Sequence, residues 1–124
     1  MKGSDAEILG VLDDLLKEDD VLVAMLARKG FQGTYDPTKF KLQDVRIWSA
    51  LQSTMNEFFD IIEKFAGTGL DKVYFELGEY EAMFFIINQM DVALIVIIPA
   101  LANKGLLEVE VENARRSITR MIGV

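Results

Sequence analysis

The chain has 124 residues, a length that suits one domain with a sizeable buried core. Apolar residues make up 51% of it and only two residues are prolines, so we expect a folded chain. Its 13 lysines and arginines stand against 20 aspartates and glutamates, a formal charge of −7. This balance argues against nucleic acid and against an anionic membrane surface, since both attract clustered cations.

The absence of cysteine excludes disulfides and thiolate metal sites and fits a cytoplasmic protein. The longest uncharged apolar run, residues 92–102, has eleven residues and contains Pro99. It is too short to span a bilayer and indicates a buried strand. Residues 1–6 are polar and lack the apolar segment of a signal peptide, so we expect no targeting segment.

The N-terminal part predicts a helix followed by two strands. Residues 4–7 read Ser-Asp-Ala-Glu, the pattern of a capping box with Ser4 as the N-cap, and apolar residues at helical spacing then run to Leu16. Residues 21–27 are apolar on both faces, as in a central strand. Residues 31–35 predict a short edge strand, because a glycine interrupts them and an Asp-Pro pair follows.

A long second helix is predicted over residues 44–66, with Asp44 as its cap and Gly67 just after its end. Its apolar residues spread around most of its circumference, so it needs more than one surface to pack against. Three strands and a helix are predicted to follow. They are the alternating edge strand Lys72–Leu77, the central strands Tyr80–Ile87 and 92–98, which are apolar on both sides, and an amphipathic helix over residues 103–121.

These elements predict an α/β fold with a five-stranded antiparallel sheet in the order 2-1-5-4-3, helices 1 and 3 on one face and helix 2 on the other. Such a sheet is about 24 Å wide, and one helix covers about 10 Å of it. Helix 2 therefore leaves about half of its face bare, which a monomer rarely tolerates. We expect a partner beside helix 2, most simply a second copy whose Lys72–Leu77 edge pairs with the first.

The order of elements over residues 5–122, with Ala-Asn-Lys-Gly-Leu-Leu at residues 102–107 opening the last helix, resembles the roadblock family, named for dynein light chains. The resemblance implies a roadblock/profilin-like α/β sandwich that dimerises through helix 2 and the third strand, as a single domain over residues 1–124. Members serve small Ras-like GTPases as regulators or scaffolds, or act as adaptors in motor complexes. Residues 34–43 depart from the family in forming a longer and more polar connection.

No catalytic or cofactor-binding motif is present, and the family offers no invariant catalytic residue. The chain has no histidine or cysteine to support nucleophilic catalysis and no phosphate-binding loop. Glu76, Glu79 and Glu81 surround a predicted turn, but they lack the spacing of a calcium loop, so a solvated hairpin tip is the favoured interpretation. We therefore predict that the protein is not an enzyme and has no catalytic residue, no metal and no cofactor.

The leading hypothesis is a homodimeric, non-catalytic module that binds and regulates or scaffolds a small Ras-like GTPase. A small-ligand sensor with a pocket under helix 2, lined by aromatics such as Trp48, Phe58 and Phe59, and a purely structural adaptor are the alternatives. The predicted dimer contacts are Trp48, Leu51, Met55, Phe58, Phe59, Ile62, Tyr74 and Phe75. The predicted GTPase-facing residues are Arg46, Gln52, Asn56 and Asp60.

Overall fold

The computed structural model describes residues 2–30, 32–34, 39–41, 45–87 and 92–122. Three α-helices and five strands lie in these ranges, with a short 3-10 turn at Ala66–Thr68. In chain order they are α1 (Lys2–Leu16), β1 (Val23–Arg28), β2 (Gln32–Thr34), α2 (Val45–Lys64), β3 (Lys72–Leu77), β4 (Tyr80–Ile87), β5 (Val92–Pro99) and α3 (Lys104–Ile122).

The sheet corrects the predicted fold class, which gave it five strands. Four strands of six to eight residues build the antiparallel sheet, in the order β1-β5-β4-β3. Of the predicted strand 31–35, only Gln32–Thr34 is described as a strand, and it pairs with Leu26–Arg28 at the outer edge of β1. Phe31 and Tyr35 lie outside the described residues. The physical reason is the central Gly33, which brings no side chain to the sheet and weakens a strand.

Alternation of side chains divides the core into two clusters, one on each face of the sheet. On the first face, Met83 and Phe85 of β4 pack with the buried rows of α1 and α3. On the second face, Phe84 and Ile86 pack with α2. The predicted placement of α1 and α3 on one face and α2 on the other is therefore found in the structure.

The central strands are apolar because both of their faces are covered. Every described residue from 82 to 87 and from 92 to 98 is buried, and most are 0–2% exposed. Each fully buried aliphatic or aromatic side chain contributes about 1.5–3 kcal/mol. Consequently β4 and β5 anchor both layers of helices.

The structure differs from the sequence predictions at one end of α1 and of α2, and it agrees with the predicted turn between β3 and β4. The first helix begins at Lys2, so Ser4 lies inside it and is not its N-cap. Helix α2 ends at Lys64, two residues before the predicted end, and the 3-10 turn follows. The predicted turn between β3 and β4 is present, and Gly78 has a φ of 63° there, a backbone conformation that glycine adopts without a steric penalty.

Arginine 115 ties α3 to the start of β3. Its guanidinium lies 2.7 Å from Glu112 and 3.3 Å from Asp71, and it stacks 5.5 Å from the centre of the Phe85 ring. The Arg115 side chain is only 17% exposed, so these contacts are partly shielded from water. These contacts hold α3 beside the start of β3.

In the described part of the chain, no helix has the length and apolar character needed to cross a bilayer.

Replacing Phe59 of α2 tests the packing of the second face. Its side chain is 1% exposed and meets Phe84 edge to face, with 5.2 Å between the ring centres. Phe59→Ala should lower the free energy of unfolding by about 3–5 kcal/mol, because it leaves a cavity that the sheet cannot close. Urea unfolding at one fixed protein concentration measures this change.

The matched control is Leu101→Ala, since Leu101 is 99% exposed in the loop before α3. This change should shift the free energy of unfolding by less than about 0.5 kcal/mol. A loss below about 1 kcal/mol for Phe59→Ala would contradict the packing of α2 on the sheet.

Candidate functional site

Helix α2 has one row of side chains that faces the sheet. Leu51, Met55, Phe59 and Ile62 are each at most 3% exposed, and they pack against the second face of the sheet. Their spacing of four, four and three residues places them on one side of the helix. This row packs α2 against the sheet of its own chain. The helix has one flank on each side of the row.

The flank of α2 nearer to β3 is apolar and incompletely covered. Phe58 is half-buried and lies 4.6 Å from Phe75 of β3 and 5.8 Å from Phe84, measured between ring centres. Ile61 and Phe65 follow it at helical spacing, yet they are 45% and 51% exposed. A large apolar surface of this kind commonly marks a site of protein contact.

Strand β3 continues this apolar surface at the edge of the sheet. It pairs with β4 on one side and is the last strand in the order, so the described sheet leaves its other side open. On the α2 side, Val73, Phe75 and Leu77 are only half-buried. The open backbone of β3 and the exposed side chains of α2 thus form one surface, which we call the α2–β3 surface: Phe58, Ile61, Phe65, Val73, Phe75 and Leu77.

The opposite flank of α2 is polar and holds the turn after β1. Asn56 accepts a hydrogen bond of 2.9 Å from the backbone N–H of Gly30. The ammonium of Lys29 lies 3.3 Å from Glu63 and 3.4 Å from Asp60. Hydrogen bonds to Glu63 and Asp60 and the charge of Glu63 raise the pKa of Lys29.

The predicted GTPase-facing residues therefore divide into two pairs. Asn56 and Asp60 contact the turn at Lys29 and Gly30, whereas Arg46 and Gln52 are exposed. These placements concern this chain alone, and the GTPase-facing role of all four residues stays a prediction.

The predicted dimer contacts are also distributed over several environments. Leu51, Met55, Phe59 and Ile62 pack in the core of this chain, while Phe58 and Phe75 lie at the exposed rim. The side chain of Trp48 lies outside the described part of the structure. Sequence reasoning left Ile61 and Phe65 out of the site, although their spacing from Phe58 is that of a second apolar stripe.

Tyr74 lies on the other face of the sheet from its neighbour Phe75. Its ring packs 5.8 Å from Phe85, beside α3, and its buried hydroxyl has no hydrogen-bond partner within the described ranges. Burial, followed by the negative charges of Glu108, Glu81 and Glu112, raises the pKa of Tyr74 to about 12. Strand alternation is the reason for this separation, since successive side chains point to opposite faces.

The three glutamates near the turn between β3 and β4 do not converge. Glu81 is 5% exposed and its carboxylate lies 2.9 Å from the ammonium of Lys104, whereas Glu76 and Glu79 are exposed. The hydrogen bond to Glu81 raises the pKa of Lys104. No cluster of three or more potential metal ligands occurs among the residues that the structure describes. Glu81 instead joins the first turn of α3 to β4.

The space under α2 is occupied by aromatic side chains. Phe58 and Phe59 both contact Phe84, and Phe58 also contacts Phe75. Their rings therefore pack in the space under α2 where the alternative hypothesis put a ligand pocket. A groove of about 790 Å³ lies elsewhere, between α3 and the end of β4, and residues such as Ile86, Arg115 and Arg120 line it. Packing within this chain thus accounts for Phe58 and Phe59.

Comparison with known proteins shows a likeness of fold. No protein-family model and no curated protein matches the chain. Among solved structures, MglB from Myxococcus xanthus has a TM-score of 0.76 and 19% identity, over 94% of this chain and 95% of that chain. A Roadblock/LC7 domain from Streptomyces avermitilis has a TM-score of 0.68 and 13% identity, over 93% and 97%. An MglB with a tetrameric arrangement has a TM-score of 0.71 and 14% identity, over 95% and 89%.

These likenesses cover nearly the whole of both chains in each case. Identities of 13–19% are low, so the comparison shows a fold. The chain has a roadblock fold, and the resemblance predicted from its sequence is confirmed at that level. A shared fold does not determine function, which depends on the residues at the surface.

The hydroxyl of Tyr74 gives the protein a pH dependence above neutrality. Because the folded pKa of about 12 is above the ordinary value of 10.0, folding favours the protonated form. The free energy of unfolding should fall as the pH rises from about 10 to about 12, because over this range the unfolded chain releases the proton of Tyr74 and the folded chain keeps it. Below pH 10 both states keep the proton, so the hydroxyl causes no pH dependence there. Urea unfolding of wild type and Tyr74→Phe across this range measures the difference.

Tyr74→Phe should lose stability less steeply than wild type above pH 10, because the variant has no hydroxyl at this position to ionise. Ultraviolet titration supplies a second readout, in which the variant lacks one tyrosine with a pKa of about 12. If the variant instead lacks a tyrosine that titrates near 10.0, the buried position of the hydroxyl is contradicted.

Proposed function

We propose that this chain is a non-catalytic, roadblock-type module that forms a homodimer in the cytoplasm and binds a small Ras-like GTPase, regulating or scaffolding it. The observation that carries the proposal is the α2–β3 surface, where exposed apolar side chains border an open strand edge. The roadblock fold supports the same conclusion, since the resemblance implies dimers that serve such GTPases. An MglB of this fold occurs in a tetrameric arrangement, which agrees with a fold that self-associates.

The proposed dimer brings two α2–β3 surfaces together about a two-fold axis. Ile61 and Phe65, at 45% and 51% exposed, would then be covered by the second copy. The open edge of β3 would gain hydrogen-bond partners from the other β3, so both apolar burial and backbone pairing favour association. The buried row from Leu51 to Ile62 supports this contact indirectly, because it holds α2 in place on the sheet of its own chain.

The proposed GTPase surface is the outward side of the α2 pair. Arg46 and Gln52 are exposed there, and Asn56 and Asp60 hold the neighbouring turn at Lys29 and Gly30 in place. Charged and polar residues at such a rim set the specificity and rate of association. The module would alter the position or nucleotide cycle of the GTPase by binding, without donating a reacting group.

Replacing Ile61 tests the dimer. Ile61→Asp should raise the dissociation constant of the homodimer at least about tenfold, because it places two charges in the apolar contact. Sedimentation velocity over a range of concentrations measures this constant. The chain should remain folded by circular dichroism, since Ile61 is 45% exposed in the single chain.

The matched control is Gln52→Arg, an exposed change on the polar flank of the same helix. This variant should dimerise as tightly as wild type. Equal dissociation constants for Ile61→Asp and wild type would contradict the proposed interface, and so would a wild-type chain that sediments as a strict monomer at micromolar concentration.

Capture from the source cell tests the GTPase. The immobilised dimer should retain a protein with a Gly-x-x-x-x-Gly-Lys-Ser/Thr loop, with different yields when the lysate holds GDP or a non-hydrolysable GTP analogue. Gln52→Arg should lower the yield about tenfold or more, because it alters the proposed rim of contact.

Asp14→Arg on α1 is the control, since its side chain is 76% exposed on the other face of the protein. It should retain the GTPase as wild type does. If neither nucleotide state yields a GTPase with this loop, the GTPase part of the proposal fails, while the dimer is judged by sedimentation alone.

A further inference from the structure

The outer face of α3 carries a row of exposed side chains that we call the α3 crest: Leu106, Val109, Asn113, Arg116 and Arg120. Leu106 and Val109 are 57% and 56% exposed, and the three polar residues are exposed as well. The intervals of three, four, three and four residues are those of a coiled-coil seam, so the row stays on one face of the helix. Nothing in the described chain covers it.

Charge divides α3 into an acidic first half and a basic second half. Glu108, Glu110 and Glu112 precede Asn113, whereas the three arginines follow it. Arg115 is engaged by Glu112 and Asp71. Glu110 and Arg116, in contrast, have no ion-pair partner within the described ranges, and Arg120 contacts only the hydroxyl of Ser117, at 3.5 Å. Helix α3 therefore presents two charges without an ion-pair partner in the described ranges, on opposite sides of Asn113: Arg116, which lies on the crest, and Glu110, which is half-buried beside it.

We propose that the α3 crest binds the α3 crest of a second copy, antiparallel, with the two-fold axis at Asn113. Residues three positions before and after the axis then face each other, so Glu110 of each copy meets Arg116 of the other. Residues seven positions away also face each other, which lays the methylene stem of Arg120 over Leu106. The symmetry forms each contact twice.

Charge complementarity favours a second copy as the occupant. A purely acidic or purely basic helix would attract one half of α3 and repel the other, and a parallel copy would set Glu110 against Glu110 and Arg116 against Arg116. An antiparallel copy instead places the acidic half of each α3 beside the basic half of the other.

This contact is separate from the α2–β3 surface. Helix α3 packs on the opposite face of the sheet from α2, so one chain can form both contacts at once. Two different isologous contacts on one chain join dimers into larger assemblies. The α3 contact does not depend on the proposed GTPase or on the proposed dimer.

Disulfide cross-linking of the purified protein tests the contact, because the chain has no cysteine of its own. In Asn113→Cys, the new thiol lies on the proposed axis and meets its equivalent. It should form a covalent dimer under mild oxidation at least about tenfold faster than Lys17→Cys, since contact raises the effective thiol concentration. Lys17 is a matched control on α1, with a side chain that is 78% exposed.

Charge exchange then identifies the register. In the Asn113→Cys background, Arg116→Glu should reduce cross-linking to the rate of Lys17→Cys, and adding Glu110→Arg should restore it. Ile61→Asp in the same background should leave the rate unchanged, which separates this contact from the α2–β3 dimer.

Two outcomes would overturn the proposal. One is cross-linking of Asn113→Cys no faster than Lys17→Cys, which would mean that the crest binds another partner or none. The other is failure of the Glu110→Arg and Arg116→Glu exchange to restore a rate that Arg116→Glu had lowered, while circular dichroism shows both variants folded.

Discussion

The structure depends on the burial of β4 and β5 on both faces at once. Their described residues are almost entirely removed from water, so the sheet requires helices on each side. Two helices share the first face and α2 alone covers the second. The uncovered width of that second face lies at β3, where Val73, Phe75 and Leu77 remain half-exposed. This uneven cover is the basis of the proposed interface.

Helix α2 separates the two kinds of surface that the proposed function uses. Its buried row attaches it to the sheet, its β3 flank exposes Ile61 and Phe65, and its other flank uses Asn56 and Asp60 to hold the turn at residues 29–30. In the proposed function, apolar burial on one flank would drive association, and polar groups on the other flank would set specificity. One rigid element thus positions both surfaces relative to each other.

Much of this fold could be predicted from the sequence, and the failures have physical causes. Apolar runs identified the central strands, and alternation identified β3 as an edge. A capping-box pattern did not mark the helix start, since α1 begins at Lys2, two residues before Ser4, and helix ends are the least sharply specified part of a helix. The candidate site was harder to predict. Helix α2 has apolar residues around most of its circumference, so its sequence does not indicate which flank lies beside β3. Alternation alone could have separated Tyr74 from Phe75.

The central claim is that a second copy covers the open edge of β3, and amide hydrogen exchange of Lys72–Leu77 tests it most directly. No strand in the described part of a single chain pairs with the open side of β3, so the amides on that side should exchange quickly. The account predicts that their protection rises with protein concentration in the wild type and stays low in Ile61→Asp. Rapid exchange at every concentration, with no difference between the two proteins, would contradict it.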